Sequence, residues 1–316
     1  MSPSPRISGL VPIRNGYNYL PEFRANLEQI LGSHDELLVI DDRSEDGTLD
    51  FLKSWANDDA RIKVLQNSGT GLVDALNYGL ASASNSWIAR FDVDDKYASN
   101  RFMVQRERLH ESLAAIFSDY QFFSNTESDL GRVFSALLPR ATALSLISGQ
   151  RTAHPSVIFN RQLAIKVGGY VSSDFPAEDL SLWLRLLQVG SVESVENLLL
   201  FYRISSSSIT GQNRKIAIET RAGLINSNTD LKPIFEESIA ELDRTADFYL
   251  NCADGSHRFV LHIRDIFIAG KSYGFKLKYV LKVFIAVKRF GVLDFLKALL
   301  DIRKAYKLRK RFRLNP

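Results

Sequence analysis

Residues 87–95 run Trp87-Ile88-Ala89-Arg90-Phe91-Asp92-Val93-Asp94-Asp95, an apolar segment that ends in acids. Trp87-Ile88-Ala89 suits a buried strand, and the apolar stretch runs straight into three carboxylates within four positions, followed by Lys96. Acids placed where a strand leaves its sheet occupy the ligand edge of an open α/β domain. Crowded carboxylates repel one another unless something positive joins them. A hard divalent cation, Mg²⁺ or Mn²⁺, is the simplest partner, because it prefers oxygen ligands and shares its shell with substrate phosphates. Taken alone, such a triplet also reads as a solvated acidic turn.

The first 125 residues alternate between two periodicities. Apolar runs at 7–13, 36–40, 62–65 and 87–92 suit buried strands, and 18–31, 48–56 and 70–83 carry helical spacing. That alternation predicts a Rossmann-like, mostly parallel sheet with flanking helices, an α/β fold. The run Glu36-Leu37-Leu38-Val39-Ile40 ends in Asp41-Asp42 and a polar turn, so two strands deliver carboxylates to one sheet edge. A pair there suits hydrogen bonds to a nucleotide's base and ribose, while Asp42, Ser44 and Asp46 equally suit capping of the helix that follows. No Walker loop occurs, and Gly69-Thr70-Gly71 is too short for a dinucleotide fingerprint, so phosphates would be bound through metal.

Composition bounds the rest. The chain has 316 residues, 45% of them hydrophobic and 24% charged, which fits an ordinary globular protein and excludes a disordered or fibrous one. Cys252 is the only cysteine and stands in no metal-ligand spacing, so a reducing compartment and a buried structural thiol are expected. The opening Met-Ser-Pro-Ser-Pro-Arg has no apolar signal core, and the longest stretch without Asp, Glu, Lys or Arg is 75–89, too short and polar to span a bilayer. A cytoplasmic protein is the expectation. The net charge of +4 hides an asymmetry: residues 271–316 hold 14 Lys or Arg against Asp294 and Asp301, a local +12, leaving −8 for the first 270. The tail therefore calls for an anionic partner, a membrane surface or nucleic acid.

The segments LVPIRN (10–15), VIDDRSEDGT (39–48), the stretch 67–95, NRF (100–102), HPSVIF (154–159), VGGY (167–170) and AEDLSLWLRL (177–186) occur in an order that resembles the family-2 glycosyltransferases. These are inverting enzymes of the GT-A fold whose bacterial members build surface polysaccharides. The resemblance covers about residues 6–204 and implies a GT-A domain over 1–210, with 211–316 a helical region carrying the basic tail. Position by position it implies nucleotide contacts from Pro12, Arg14, Asn15, Asp41, Asp42 and Asp92. It further implies metal coordination by Asp94 with Asp95, and a catalytic base at Asp179. Glu178, Trp183 and Arg185 fall on the same segment as structural or acceptor-shaping residues; His154 is either structural or a ligand.

The chemistry fits those residue types. A sugar joined through its anomeric carbon to a nucleotide diphosphate needs its leaving group neutralised, which a metal held by Asp94 provides, and its attacking hydroxyl deprotonated, which Asp179 provides from the opposite face. Helix starts attract acids regardless of catalysis, so the dipole alone also accounts for Asp179. One departure stands out: many relatives carry a His two residues after the Arg of LLLFYRI, where this chain has Ser205.

The expected donor is a nucleotide-diphosphate sugar, specifically a UDP-sugar, the acceptor a glycan or lipid-linked hydroxyl, and the cofactor Mn²⁺ or Mg²⁺. A polyprenyl-phosphate sugar transferase and a non-catalytic membrane-associated scaffold are the alternatives. In the tail, Leu277, Val280, Leu281, Phe284 and Val287, then Val292, Phe295, Leu296, Leu299 and Ile302, fall at helical spacing. Two basic amphipathic helices would lie on an anionic membrane, the cytoplasmic face of the inner membrane, or pack on the catalytic domain as a bundle. Nucleic acid is disfavoured for want of any binding module.

Overall fold

The computed structural model describes residues 4–148, 152–205, 213–252, 254–273 and 277–314; most of the serine run at 205–208 lies outside them. The first half alternates as the periodicity predicts: β1 (Ile7–Ile13), α1 (Leu20–Leu27), β2 (Glu36–Asp41), α2 (Thr48–Asp58), β3 (Ile62–Gln66), α3 (Gly71–Ser82) and β4 (Trp87–Arg90). The second half adds β5 (Lys96–Tyr97), α4 (Arg101–Arg106), β6 (Leu113–Phe123), β7 (Arg132–Val133), α5 (Pro139–Ile147), β8 (Ile158–Asn160), α6 (Arg161–Lys166), α7 (Glu178–Leu186) and β9 (Ser191–Arg203).

One sheet joins all of these strands in the order β3-β2-β1-β4-β8-β6-β9-β5, with β7 on β6. The pairs among β3, β2, β1 and β4 are parallel, as is β6 with β9, whereas β8 runs antiparallel to both β4 and β6. The strand order reverses between β1 and β4, opening a crevice at the carboxyl ends of β1, β2 and β4. The antiparallel β8 brings the turn of His154–Ser156 to that same edge, and the end of β9 reaches it beside β5, where Lys96 lies opposite Phe201.

Each face of the sheet is covered. Phe23, Trp55, Phe91 and Phe102 build one core under α1, α2 and α4, and Leu76, Leu80, Phe159 and Trp183 build the other under α3, α6 and α7. A third core joins Leu144 and Ile147 of α5 and Leu180 and Leu184 of α7 to the C-terminal helices. These are α8 (Arg214–Ser227), α9 (Lys232–Ala240), α10 (Leu242–Leu250), α11 (Gly255–Tyr273), α12 (Leu277–Phe290) and α13 (Val292–Leu314). Arg258 of α11, wholly buried, is paired with the equally buried Asp119 of β6 at 2.8 Å, so a charged tie accompanies the apolar one. Cys252 is half-buried rather than sealed in the core: it sits just past the C-terminus of α10, where its Sγ donates to the Phe248 carbonyl at 3.3 Å.

Candidate active site

The loops after β1 and β2 are laced together. Pro12 lies on β1 opposite Ile40, and the chain then leaves the sheet through the exposed Arg14 and through Asn15, held at φ 53° in the left-handed region. The Asn15 amide donates to Ser44 Oγ at 2.9 Å and its Oδ1 accepts from the Glu45 amide at 2.8 Å. Asn tolerates that backbone better than most residues because its short side chain bonds locally.

Asp41 and Asp42 divide. Asp42 Oδ1 accepts from Asn67 Nδ2 at 2.8 Å and Oδ2 from the Gly71 amide at 3.0 Å, so its carboxylate fastens the entry to α3. Gly71 turns that corner at φ +83°, a conformation that favours glycine. Asp46, and not Asp42, serves the start of α2, accepting from the Thr48 amide at 3.1 Å. Asp41 is 1% exposed; its Oδ2 accepts from the Ser44 amide at 3.3 Å, while among the described residues the buried Oδ1 has no partner. A buried acceptor left so costs about 1–3 kcal/mol, which a donor supplied by a ligand would relieve.

The acidic cluster after β4 is organised around Arg90, a cation at the end of an apolar strand whose role no motif in the sequence marks. The guanidinium is 2% exposed and bonds Asp92 Oδ1 at 2.7 Å and the Phe91 carbonyl. Burial opposes its charge, yet the facing Asp92 carboxylate holds its pKa above the ordinary value. Asp95 is buried: its Oδ1 accepts from the Arg203 amide at 2.7 Å, tying the loop to the end of β9, and its Oδ2 has no hydrogen-bond partner among the described residues. The Arg203 side chain donates from Nε to the Asp94 carbonyl at 2.6 Å. Burial, then the charge of Asp92, pushes Asp94 up to about 6, and the same causes with Asp94 raise Asp95 well above the usual carboxylate range.

The second acidic pair opens α7. Asp179 is half-buried, with Oδ1 accepting from the Leu180 amide at 2.7 Å. Glu178 is buried, and burial followed by the neighbouring Asp179 pushes it up to about 7. His154 donates or accepts at Nε2 with the Tyr170 hydroxyl, 2.9 Å away, and packs edge-on to Trp183 with ring centroids 5.6 Å apart. Burial, then Arg90, holds its pKa well below the ordinary value, so it is a neutral imidazole. Trp183 is a core residue, packed also on Phe117 and Phe159. Arg185 donates to the carbonyls of Gly169 at 2.7 Å and of Val167, bracing the Gly168-Gly169 turn, where φ is +91° and +64°. Arg90 acts on Asp94, Asp95, Glu178, His154 and Tyr170 alike, which puts the β4 acids and the α7 acids in one electrostatic neighbourhood.

The donor set suits a hard cation in kind. Neither Asp94 nor Asp95 has an ion-pair partner among the described residues, both resist ionisation, and Asp95 Oδ2 is orphaned, all of which a divalent ion would relieve. The protein's share is small, however. Asp92 is engaged by Arg90, and among the described residues no three His, Cys, Asp or Glu side chains converge as a metal site. Ligands from the substrate would have to complete the shell. A cavity of about 590 Å³ lies away from these acids, lined by Pro5, Ile30, Phe102, Met103 and Arg106 where β1 begins.

Comparison with known proteins agrees with this arrangement. Residues 8–160 match the glycosyl transferase family 2 profile. TuaG of Bacillus subtilis, named for teichuronic acid biosynthesis, is 27% identical over 222 residues, 68% of this chain and 86% of its own. The Escherichia coli UDP-Glc:α-D-GlcNAc-diphosphoundecaprenol β-1,3-glucosyltransferase WfgD is 28% identical over 184 residues, 57% of this chain and 70% of its own. In fold, S. aureus TarS 1–349 in complex with UDP-GlcNAc aligns with a TM-score of 0.56 at 16% identity, covering 98% of this chain and 89% of that fragment. The Pyrobaculum calidifontis mannosyltransferase PcManGT, solved with GDP-Man and Mn²⁺, aligns with the same score at 15% identity, covering 99% and 88%. With the acidic sheet edge, the α7 acids and the matched profile together, the chain has the GT-A fold and its residues 8–160 are a family-2 glycosyltransferase domain.

Proposed function

We propose that this transferase moves a sugar, with inversion, from a UDP-sugar to a hydroxyl of a glycan or lipid-linked acceptor in surface-polysaccharide synthesis. The observation that carries the reading is the acidic end of β4, where Arg90 bonds Asp92 at 2.7 Å, set by β8 beside the His154 turn, which packs on Trp183 of α7, the helix whose first turn holds Glu178 and Asp179. Names among the relatives support the substrates: WfgD takes UDP-Glc and a diphosphoundecaprenol-linked sugar, and TarS binds UDP-GlcNAc.

In this reading Asp41 Oδ1 accepts an N–H of the base, and Pro12, Arg14 and Asn15 border the base pocket. Asp92, held by Arg90, faces the nucleotide sugar. Asp94 and Asp95 would hold Mn²⁺ or Mg²⁺, and the chemistry such an ion supplies is Lewis-acid neutralisation of the diphosphate. Asp179 accepts the proton of the acceptor hydroxyl as its oxygen bonds to the anomeric carbon and the bond to the diphosphate breaks, which inverts that carbon. His154, bonded to Tyr170, and Arg185, whose guanidinium braces the Gly168-Gly169 turn, shape the wall of the site.

Calorimetry of UDP binding with and without Mn²⁺ tests the assignment. Asp94→Asn keeps the side chain's shape and removes one ligand charge, so the Mn²⁺-dependent part of the affinity is expected to vanish together with transfer. Unchanged Mn²⁺ dependence in that variant would remove Asp94 from the metal site.

A further inference from the structure

The last helix carries an apolar face that the rest of the described chain leaves uncovered. Along α13 the positions turned inward are Phe295, Ala298 and Ile302, with Ala298 2% exposed and the Phe295 ring 6.3 Å from Phe259 of α11. Val292, Leu293, Leu296, Leu299 and Leu300 stand out instead, at 49, 74, 47, 43 and 54% exposure. At 3.6 residues per turn these five fall within one arc of about 120°, beside the packed seam rather than on it. Single exposed leucines need no explanation, but a contiguous set along one helix marks a surface meant to be covered.

Charge says what covers it. Exposed Lys297 and Lys304 border the arc, and Arg303 closes its C-terminal end. Asp294 and Asp301 lie on the opposite side of the helix by the same periodicity, and Asp301 is within 3.9 Å of His257 and 3.8 Å of Lys304. Beyond the arc the sequence is polybasic, completing the +12 of residues 271–316. A two-fold dimer through this face would set that charge against its own copy. A negatively charged lipid surface complements it, with leucines at the acyl boundary and Lys and Arg at the phosphates.

We infer that α13 is an in-plane docking surface for an anionic bilayer. The inference does not depend on the donor or acceptor chemistry proposed above, since no substrate enters it. Co-sedimentation of the full chain with vesicles tests it, using phosphatidylcholine alone and phosphatidylcholine mixed with phosphatidylglycerol. Binding is expected to the mixed vesicles at low salt, to weaken as salt rises, and to fall at least about tenfold in Leu296→Glu/Leu300→Glu and in Lys297→Glu/Lys304→Glu. Each variant should keep the wild-type melting temperature, which separates lost docking from lost folding. Three results would overturn the assignment: no binding of the wild type to mixed vesicles at low salt, binding indifferent to the leucine substitutions, or a concentration-dependent dimer that Leu296→Glu/Leu300→Glu dissolves.

Discussion

Asp179 and Glu178 adjoin in sequence but sit in different surroundings. Asp179 keeps solvent contact and one bond to its own helix, whereas Glu178 is 5% exposed and among the described residues its Oε2 has no hydrogen-bond partner. Asp179→Asn leaves an acceptor at Oδ1 for the Leu180 amide, so donor affinity should hold while turnover falls about a hundredfold or more, the scale of a positioned general base. Steady-state kinetics with separately measured donor affinity decides it; near-normal turnover would point to an acceptor that arrives already ionised. For Glu178 the sign runs the other way from a salt-bridged acid. Its folded pKa, about 7, exceeds the ordinary 4.5, so the folded protein holds the proton longer, and stability is lost as pH rises from about 4.5 through 7. Glu178→Gln should flatten that part of the stability curve and raise stability at pH 8 by about 1–3 kcal/mol, read from denaturant melts across pH.

At the scale of elements, what could be read from sequence was what repeats. β1 to β4 and their helices were legible because continuous apolar runs and 3.6-residue spacing persist over whole elements. β5, β7 and β8 were not, since strands of two or three residues carry no period, and β8 is antiparallel in an otherwise parallel neighbourhood. The acids at 92–95 and 178–179 stood out by residue type. Arg90 did not, although a lone cation inside an apolar strand was the available signal. Nor did the sequence foretell that Asp119 of β6 joins α11: its Oδ1 accepts from the Ser135 amide at 2.7 Å, and its Oδ2 accepts from Arg132 Nη2 at 2.6 Å and Arg258 Nη2 at 2.8 Å. The pairing spans 139 positions, and no local pattern encodes it. Removing one partner of a buried pair strands the other charge, so Asp119→Asn is expected to cost about 3–5 kcal/mol. The double variant Asp119→Asn/Arg258→Met should recover part of that in the same chemical melt, and a loss no smaller in the double variant would remove the pair as the cause.

Over the whole molecule, the change of architecture near residue 210 and the limit of what folds need not coincide. We propose that residues 1–210 form the GT-A domain and 211–316 a helical region, yet the third core is built from both: Leu144, Ile147, Leu180 and Leu184 meet Phe235, Ile239, Tyr249, Phe259 and Ile263. Cutting at 210 would expose the apolar sides of α5 and α7 and remove Arg258 from Asp119, leaving Arg132 as its one charged partner among those named. Since α7 also carries Glu178 and Asp179, the loss would reach the candidate site directly. Exposed contiguous apolar surface of that kind drives aggregation. A fragment of residues 1–210 should therefore be insoluble, or melt far below the full chain and lose its nucleotide-induced thermal shift. A chain ending at residue 304 keeps the described core side chains and should match the full chain in both melting temperature and shift. Thermal-shift measurements on the two truncations with UDP and Mn²⁺ separate the cases, and a 1–210 fragment that melts like the full chain would show that the C-terminal helices are an appendage.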